Sequence, residues 1–331
     1  MHLDKYLLVL SAIFLCVSCS LLLDQEWKAW KSKHEKTYAT PYQEEFRRKA
    51  WEQTWHKVQK HNQKYEEGLT KYTMAVNTFA DLTQEERDSK SCLSGKGKPF
   101  RQTETPVHSY VKDFDLPESI DWRDKNCVTP VKDQGLCGSC WAFSAIGVLE
   151  SLHCIQTGEL VQFSEQQLVD CDDTDDACCG GFPKNALRHV IHNGIMKAKD
   201  YEYAAKQSAC AYKPDEAIKF NVSKYYILEG EDNMASSVAL GGPITVGLGA
   251  GGDFHLYNSG IFTGDCPEQP NHAVIIVGYG SEHDKESDET VDYWIVRNSW
   301  GKGWGDNGYI KMQRNVNLCG IDTMPASMDL L

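Results

Sequence analysis

Past residue 23 the chain has no segment apolar enough to cross a bilayer, which excludes a polytopic membrane protein. It has no internal repeat and no low-complexity tract, so a solenoid or repeat array is excluded as well. Basic charge is scarce where a nucleic-acid binder would need it. The whole chain carries 34 Lys+Arg against 47 Asp+Glu, and from Leu116 onward the counts are 16 against 31. An acidic body behind a slightly basic leader argues against nucleic-acid binding and fits two segments that attract at neutral pH. Two familiar ligand loops are missing their defining residues. Asp170, Asp172 and Thr174 resemble the start of a calcium loop, yet Asp175 stands where glycine is needed and Gly181 where glutamate is needed. Gly247 to Gly252 matches a dinucleotide fingerprint, but no helical pattern follows it. No metal and no cofactor is expected.

What is present suffices for a sizeable core: 331 residues, 41% hydrophobic. Residues 6–23 carry no charge, follow Lys5 and end near Ser18, Cys19 and Ser20, the pattern of a cleaved secretory signal over 1–20, with a signal anchor as the alternative. Of thirteen cysteines two lie in that signal; the remainder suit an oxidising compartment. Asn221-Val-Ser223 is a glycosylation sequon.

Between Asp24 and Asn62, Trp27, Trp30, Phe46, Trp51, Trp55 and Val58 recur at largely helical intervals, which predicts two amphipathic helices, the second starting at Pro41. A short strand over Lys71 to Phe79 and a helical turn over Leu82 to Arg87 follow. Ser89 to Pro106, rich in Ser, Gly, Lys, Thr and Pro, reads as an exposed linker open to proteolysis, with a boundary near Asp115. Ser164 with Gln167 marks a capped helix start, and Pro183 to Asn193 a further helix. After about Asn221 the texture becomes β, with strands expected at Ile244 to Leu248, Ala273 to Tyr279, Tyr293 to Arg297 and Tyr309 to Met312.

The most informative stretch is Gln134-Gly-Leu-Cys-Gly-Ser-Cys-Trp-Ala-Phe143. Ala142, Ile146, Leu149 and Leu152 recur at steps of three and four, so Cys140 sits at the start of a helix. Exposed N–H groups and the dipole favour a thiolate there. A helix end supplies roughly 0.3 to 2 kcal/mol, and each pKa unit takes about 1.4 kcal/mol. Strong activation therefore requires a second partner such as an imidazolium. His272 immediately precedes one expected strand and Asn298 immediately follows the next. If Ser281 to Asp292 turns those strands into a hairpin, the two residues become neighbours, and the asparagine oxygen fixes the imidazole tautomer.

These segments, with Asn271-His-Ala273 and Asn298-Ser-Trp-Gly301, resemble the three active-site segments of papain-like cysteine proteases. His272 and Asn298 lie 132 and 158 residues after Cys140, close to that family's spacing. In the leader, Gln43, Arg47, Trp51, Thr54, Val58 and Asn62 fall on the helical motif of cathepsin L-type propeptides, with substitutions for the usual residues at Gln43, Trp51, Thr54 and Val58. Ala75 to Asp81 matches a second propeptide motif, with Ala75 in place of glycine. Leu116-Pro117 and Asp121-Trp122 resemble the family's mature N-terminus. The resemblance implies an α+β, two-domain papain-like fold: a signal over 1–20, an inhibitory propeptide over 21–115, a mainly helical domain over 116–225 and a β-barrel-like domain over 226–331, with the cleft between the last two.

Carried over residue by residue, the resemblance makes Cys140 the nucleophile, His272 the general acid and base, Asn298 the orienting residue, and Gln134 with the Cys140 N–H the oxyanion hole. Trp300 is similar to the tryptophan that shields the Asn–His contact. Gly180 and Gly181 would pair with an extended peptide. Phe182, Pro183, Gly247, Pro270 and Met324 would line an apolar pocket for the second residue before the scissile bond. Implied disulfides are Cys137–Cys178, Cys171–Cys210 and Cys266–Cys319, while Cys92, Cys127, Cys154 and Cys179 stay unassigned, a Cys127–Cys154 bridge among the options. The resemblance further implies a monomeric cathepsin L- or F-like endopeptidase that meets protein and peptide substrates, its own propeptide as inhibitor, and cystatin-like inhibitors. It would have no stable membrane association, travel the secretory pathway to a lysosome or outside the cell, and be activated in acid. A redox role for Cys137-Gly-Ser-Cys140 lacks the βαβ context it needs. A catalytically silent binding protein is the alternative of a different class.

Overall fold

Tryptophan rings organise the leader. Helix α1, through residues 21–33, brings Trp27 and Trp30 into a stack with centroids 5.4 Å apart, and Trp51 meets Trp27 edge-on at the same distance. Trp51 belongs to α2 (Pro41–Glu66), whose start is set by Pro41 and by Thr40, which accepts a hydrogen bond from the Gln43 amide at 3.1 Å. Trp51, Thr54 and Val58 form the buried stripe of α2. The structure described here is a computed structural model covering residues 21–88, 93, 115–284 and 288–330. The expected signal, Cys92 and the expected linker apart from Leu93 lie outside the described residues.

The leader docks as a strand. Asn62 exchanges two hydrogen bonds with the Met74 backbone, at 2.8 and 2.9 Å, fixing β1 (Tyr72–Met74) against α2. A short helix α3 (Gln84–Asp88) follows, tied back by Arg47 to Glu86 at 2.9 Å. Strand β1 pairs antiparallel with β5 (Tyr257–Phe262) of the body, Tyr72 opposite Gly260. Gly260 has φ +85°, and a Cβ there would lie 2.3 Å from the Lys71 carbonyl oxygen, so the close pairing requires glycine.

In the body, β2 (Ile120–Asp121) is followed by α4 (Cys140–Thr157), which is apolar nearly all round and buried along its length. Such a helix belongs at a core rather than at a surface. Gly158 in the left-handed region ends it. Helix α5 (Glu165–Cys171) starts at Ser164, which accepts from the Gln167 amide at 3.0 Å. The cap is one-sided, because the Gln167 side chain donates to the Gly194 carbonyl instead. Helix α6 (Pro183–Asn193) has proline in its first turn. Then come β3 (Val222–Ile227), α7 (Glu231–Leu240) and β4 (Ile244–Leu248), followed by β5, β6 (His272–Asp284), β7 (Glu289–Arg297), β8 (Tyr309–Gln313) and β9 (Ala326–Leu330).

The sheet runs β1-β5-β8-β7-β6-β4-β9-β3, with β2 on β6. All pairs are antiparallel except β5 with β8. The hairpin β6–β7 runs from Ile275 opposite Arg297 to Asp284 opposite Glu289. Much of the stretch read from sequence as a turn, Ser281 to Asp292, is thus paired strand. One core fills the space between the sheet, α7 and the docked leader; a second surrounds α4 and α6 and takes Ile275, Val277 and Ile295 from the hairpin. Disulfides join Cys127 to Cys154, Cys137 to Cys178, Cys171 to Cys210 and Cys266 to Cys319. For the second, with a separation of 41 residues, closing the loop in the unfolded chain corresponds to about 4 kcal/mol.

Replacing Gly260 by alanine is expected to weaken leader docking by about 1 to 3 kcal/mol through backbone strain and the clash with Lys71. Limited proteolysis of the full chain at neutral pH should then release the leader faster, and the melting temperature of the leaderless body should fall as well, because the strain at φ +85° remains when the Lys71 clash is gone.

Candidate active site

Cys140 opens α4 and is fully buried, packed with Ala273, Leu93 and Met324. Its approach is held from several directions. Gly135 takes φ +62°, the Gly138 amide donates to the Cys178 carbonyl at 2.9 Å, and the Cys137–Cys178 bridge fixes the same turn. The Ser139 hydroxyl lies 2.6 Å from the Tyr203 hydroxyl, which donates to the Gln134 carbonyl at 2.9 Å. On the opposite side, Ser144 of α4 donates to the Val274 carbonyl at 2.7 Å, fastening the helix to β6 two residues beyond His272.

His272 is the first residue of β6, paired with Leu248 of β4, and Asn298 follows the last residue of β7. Hairpin register brings them together: His272 Nε2 lies 2.8 Å from Asn298 Oδ1. That oxygen also accepts from the Ser299 amide at 2.7 Å, so it acts as an acceptor and the imidazole Nε2 carries the proton. Nδ1 is left enclosed and without a hydrogen-bond partner. Trp300 stacks on the imidazole with centroids 4.6 Å apart, and Phe79 of the leader packs edge-on against Trp300. Burial lowers the His272 pKa to about 4, against the opposing effect of its bond to Asn298. The covered imidazole is therefore held neutral at ordinary pH.

Gln134 is buried, with its Oε1 accepting from Ser299 Oγ at 2.7 Å and its Nε2 donating to the Cys137 carbonyl at 3.0 Å. Ser299 was not singled out in the sequence; its place after Asn298 was the only signal for it. The pocket residues fall into two groups. Gly247, Pro270 and Met324 converge, since a Cβ on Gly247 would meet Met324 Cε at 2.6 Å and Pro270 Cβ at 3.2 Å. Leu93 of the leader fills that recess, its Cδ2 3.2 Å from the same point and its amide donating to the Asn271 carbonyl at 2.7 Å. Gly180, Gly181, Phe182 and Pro183 form the other group, at the start of α6. A Cβ on Gly181 would lie 2.7 Å from the Trp141 ring. Asp175 holds this turn by accepting from the Phe182 amide and Asn185 Nδ2, each at 3.0 Å, and its own pKa is pushed up to about 7 by burial.

The leader crosses the site in a defined order. Asn77 donates to the His255 carbonyl at 2.8 Å, Phe79 meets Trp300, Asp88 approaches His255, and Leu93 ends in the recess beside Cys140. Asn221 is exposed, and Cys179, outside every disulfide, is exposed beside the Cys137–Cys178 bridge. The thiol, the oriented imidazole, the buried amide donor and the apolar recess together equip the site for nucleophilic attack on an acyl group, with the leader covering it.

Comparison with known proteins agrees. Residues 116–328 match the papain family cysteine protease domain, and residues 27–86 the cathepsin propeptide inhibitor domain. Human cathepsin L2 is 40% identical over 314 residues, 91% of each chain, and mouse cathepsin S is 40% identical over 310 residues, 90% of this chain and 88% of its own. Among solved structures, the digestive procathepsin L2 proteinase of the Tenebrio molitor larval midgut superposes with a TM-score of 0.85 at 34% identity, over 93% of this chain and all of that one. With its reactive segments on a mixed helix-and-sheet body and an inhibitory leader across them, the chain belongs to the papain family of cysteine proteases.

Proposed function

We propose that Cys140, His272, Asn298 and Gln134 perform the hydrolysis, the reading being carried by the His272–Asn298 hydrogen bond at the hairpin end beside the start of α4. Once uncovered, Nδ1 of His272 accepts the thiol proton from Cys140. The thiolate adds to a peptide carbonyl, and the Cys140 amide with Gln134 Nε2 stabilises the oxyanion. His272 then protonates the leaving amine and afterwards draws a proton from the water that cleaves the acyl-enzyme. Ser299 keeps the Gln134 amide pointed at the oxyanion by holding its oxygen. The second residue before the scissile bond enters the recess of Gly247, Pro270 and Met324, as Leu93 does, with Phe182 and Pro183 on its rim. Gly180 and Gly181 pair with the extended substrate backbone. Asn77, Phe79 and Asp88 of the leader lie at His255 and Trp300 while Leu93 fills the acyl-side recess, so the leader occupies the ground that a substrate would need.

The enzyme enters the secretory pathway, for a lysosome or the outside, as four disulfides and the Asn221 sequon suit. It acts as a monomer on protein and peptide substrates and is open to cystatin-like inhibitors. Acid loosens the leader. His255, whose pKa burial under the leader lowers to about 3, and His272, at about 4, bind protons more weakly when covered than an exposed imidazole near 6.5. The covered state is therefore favoured above about pH 6.5 and loses ground as pH falls toward the buried values.

Four outcomes test this. Cys140→Ala should abolish peptide hydrolysis and labelling by a thiol-directed epoxide; retained hydrolysis would refute the assignment. Ser299→Ala should lower kcat about tenfold and Gln134→Ala about 100- to 1000-fold, each with little change in KM. Peptide libraries should show aliphatic or aromatic residues preferred at the second position before the cut, and a strong arginine preference there would contradict the recess. Incubation of the purified full chain at pH 4 to 5 should shorten it faster than at pH 7; equal shortening of the Cys140→Ala form would exclude self-processing.

A further inference from the structure

His255 has no part in the chemistry above, yet it sits against it. Its ring lies flat on Trp300 with centroids 5.3 Å apart and planes 4° from parallel, and Trp300 in turn stacks on His272. The residue is fully buried, its ring faces the Arg87 backbone of the leader, and neither ring nitrogen makes a hydrogen bond of good geometry. Two poorly paired imidazole nitrogens in a closed space are costly in a finished core. Here the lid over them is removable: the nearest carboxylate is Asp88 of the leader, with Oδ1 3.9 Å from His255 Nδ1. The charged groups that face the ring are Arg87, Asp88 and Lys57 from the leader and His272 from β6. When the leader leaves, only His272 of these remains. Leu93 fills the acyl-side recess beside Cys140, whereas His255 shares Trp300 with His272, the residue that protonates the leaving amine, so His255 lies toward the leaving group.

We propose that His255 is a specificity residue of the mature enzyme, forming with Trp300 a subsite on the leaving-group side that receives an acidic side chain of the substrate just after the scissile bond. The Asp88 carboxylate, approaching the same nitrogen from the leader, stands where the substrate carboxylate would. Stacking on Trp300 keeps the ring in place, while its nitrogens, which face Arg87 and Asp88 of the leader here, supply the donors once the leader has gone. In acid the imidazolium attracts a carboxylate; toward neutral pH the attraction fades. The inference rests on Cys140 as nucleophile, since that fixes which side is the leaving-group side.

The test uses leader-free enzyme and paired peptides with leucine two residues before the cut and Glu, Gln or Lys at the first or second residue after it. At pH 5.5 the kcat/KM ratio of Glu to Gln should be about fivefold, Lys should be disfavoured, and the ratio should approach one by pH 7.5. His255→Gln should flatten this profile. A wild-type ratio that does not change between the two pH values overturns the proposal, as does a His255→Gln enzyme with the wild-type profile; the wild-type series decides even where the variant folds poorly. Absence of hydrolysis of every peptide would instead overturn the assignment of Cys140, and this proposal with it.

Discussion

One hydrogen bond, from His272 Nε2 to Asn298 Oδ1, settles what the rest of the cleft can do. It assigns the proton to Nε2 and leaves Nδ1 without a hydrogen-bond partner. Its two partners are 26 residues apart in sequence, and their meeting depends on the β6–β7 ladder. A one-residue slip in that register would turn one of them to the opposite face of the sheet. The extensive pairing of the hairpin, its apolar inner face against α4, and the bond from Ser144 to the Val274 carbonyl all hold that register.

The leader uses the same ground for the opposite end. It encloses His272 and His255 at once, and burial drives both imidazoles toward neutrality. Burial thus works against the imidazolium form, while Phe79 and Leu93 of the leader occupy the ground beside Trp300 and Cys140.

Local patterns were legible wherever they were strong. The tryptophan spacing gave both leader helices, Pro41 gave the start of the second, and the β-rich texture after Asn221 gave β4 at Ile244 to Leu248. Helix α7 and strands β3, β5 and β9 were not read in advance. Strand β5 contains Gly260 and polar residues at Asn258 and Ser259, which blur its pattern, whereas β9 alternates apolar and polar residues but is only five residues long and directly follows Pro325; their pairing partners decide them. In the site, residues with distinctive chemistry stood out, whereas those that act by position did not. Ser299, Asp175, Leu93 and His255 matter because of what lies within hydrogen-bond or packing distance across long stretches of chain, which no local window contains.

The pairing of β1 with β5 carries one more consequence. Loss of the leader does more than open a cleft; it strips a strand from the margin of the sheet and leaves backbone donors and acceptors of Tyr257 to Gly260 facing water. Bare margins invite strands from other chains. Here the exposed run is short, polar at Asn258 and Ser259, and bent by the positive φ of Gly260. The glycine that admits the leader during synthesis thus makes a poor template once the leader has gone, and maturation can proceed without turning the enzyme into a seed for its own aggregation.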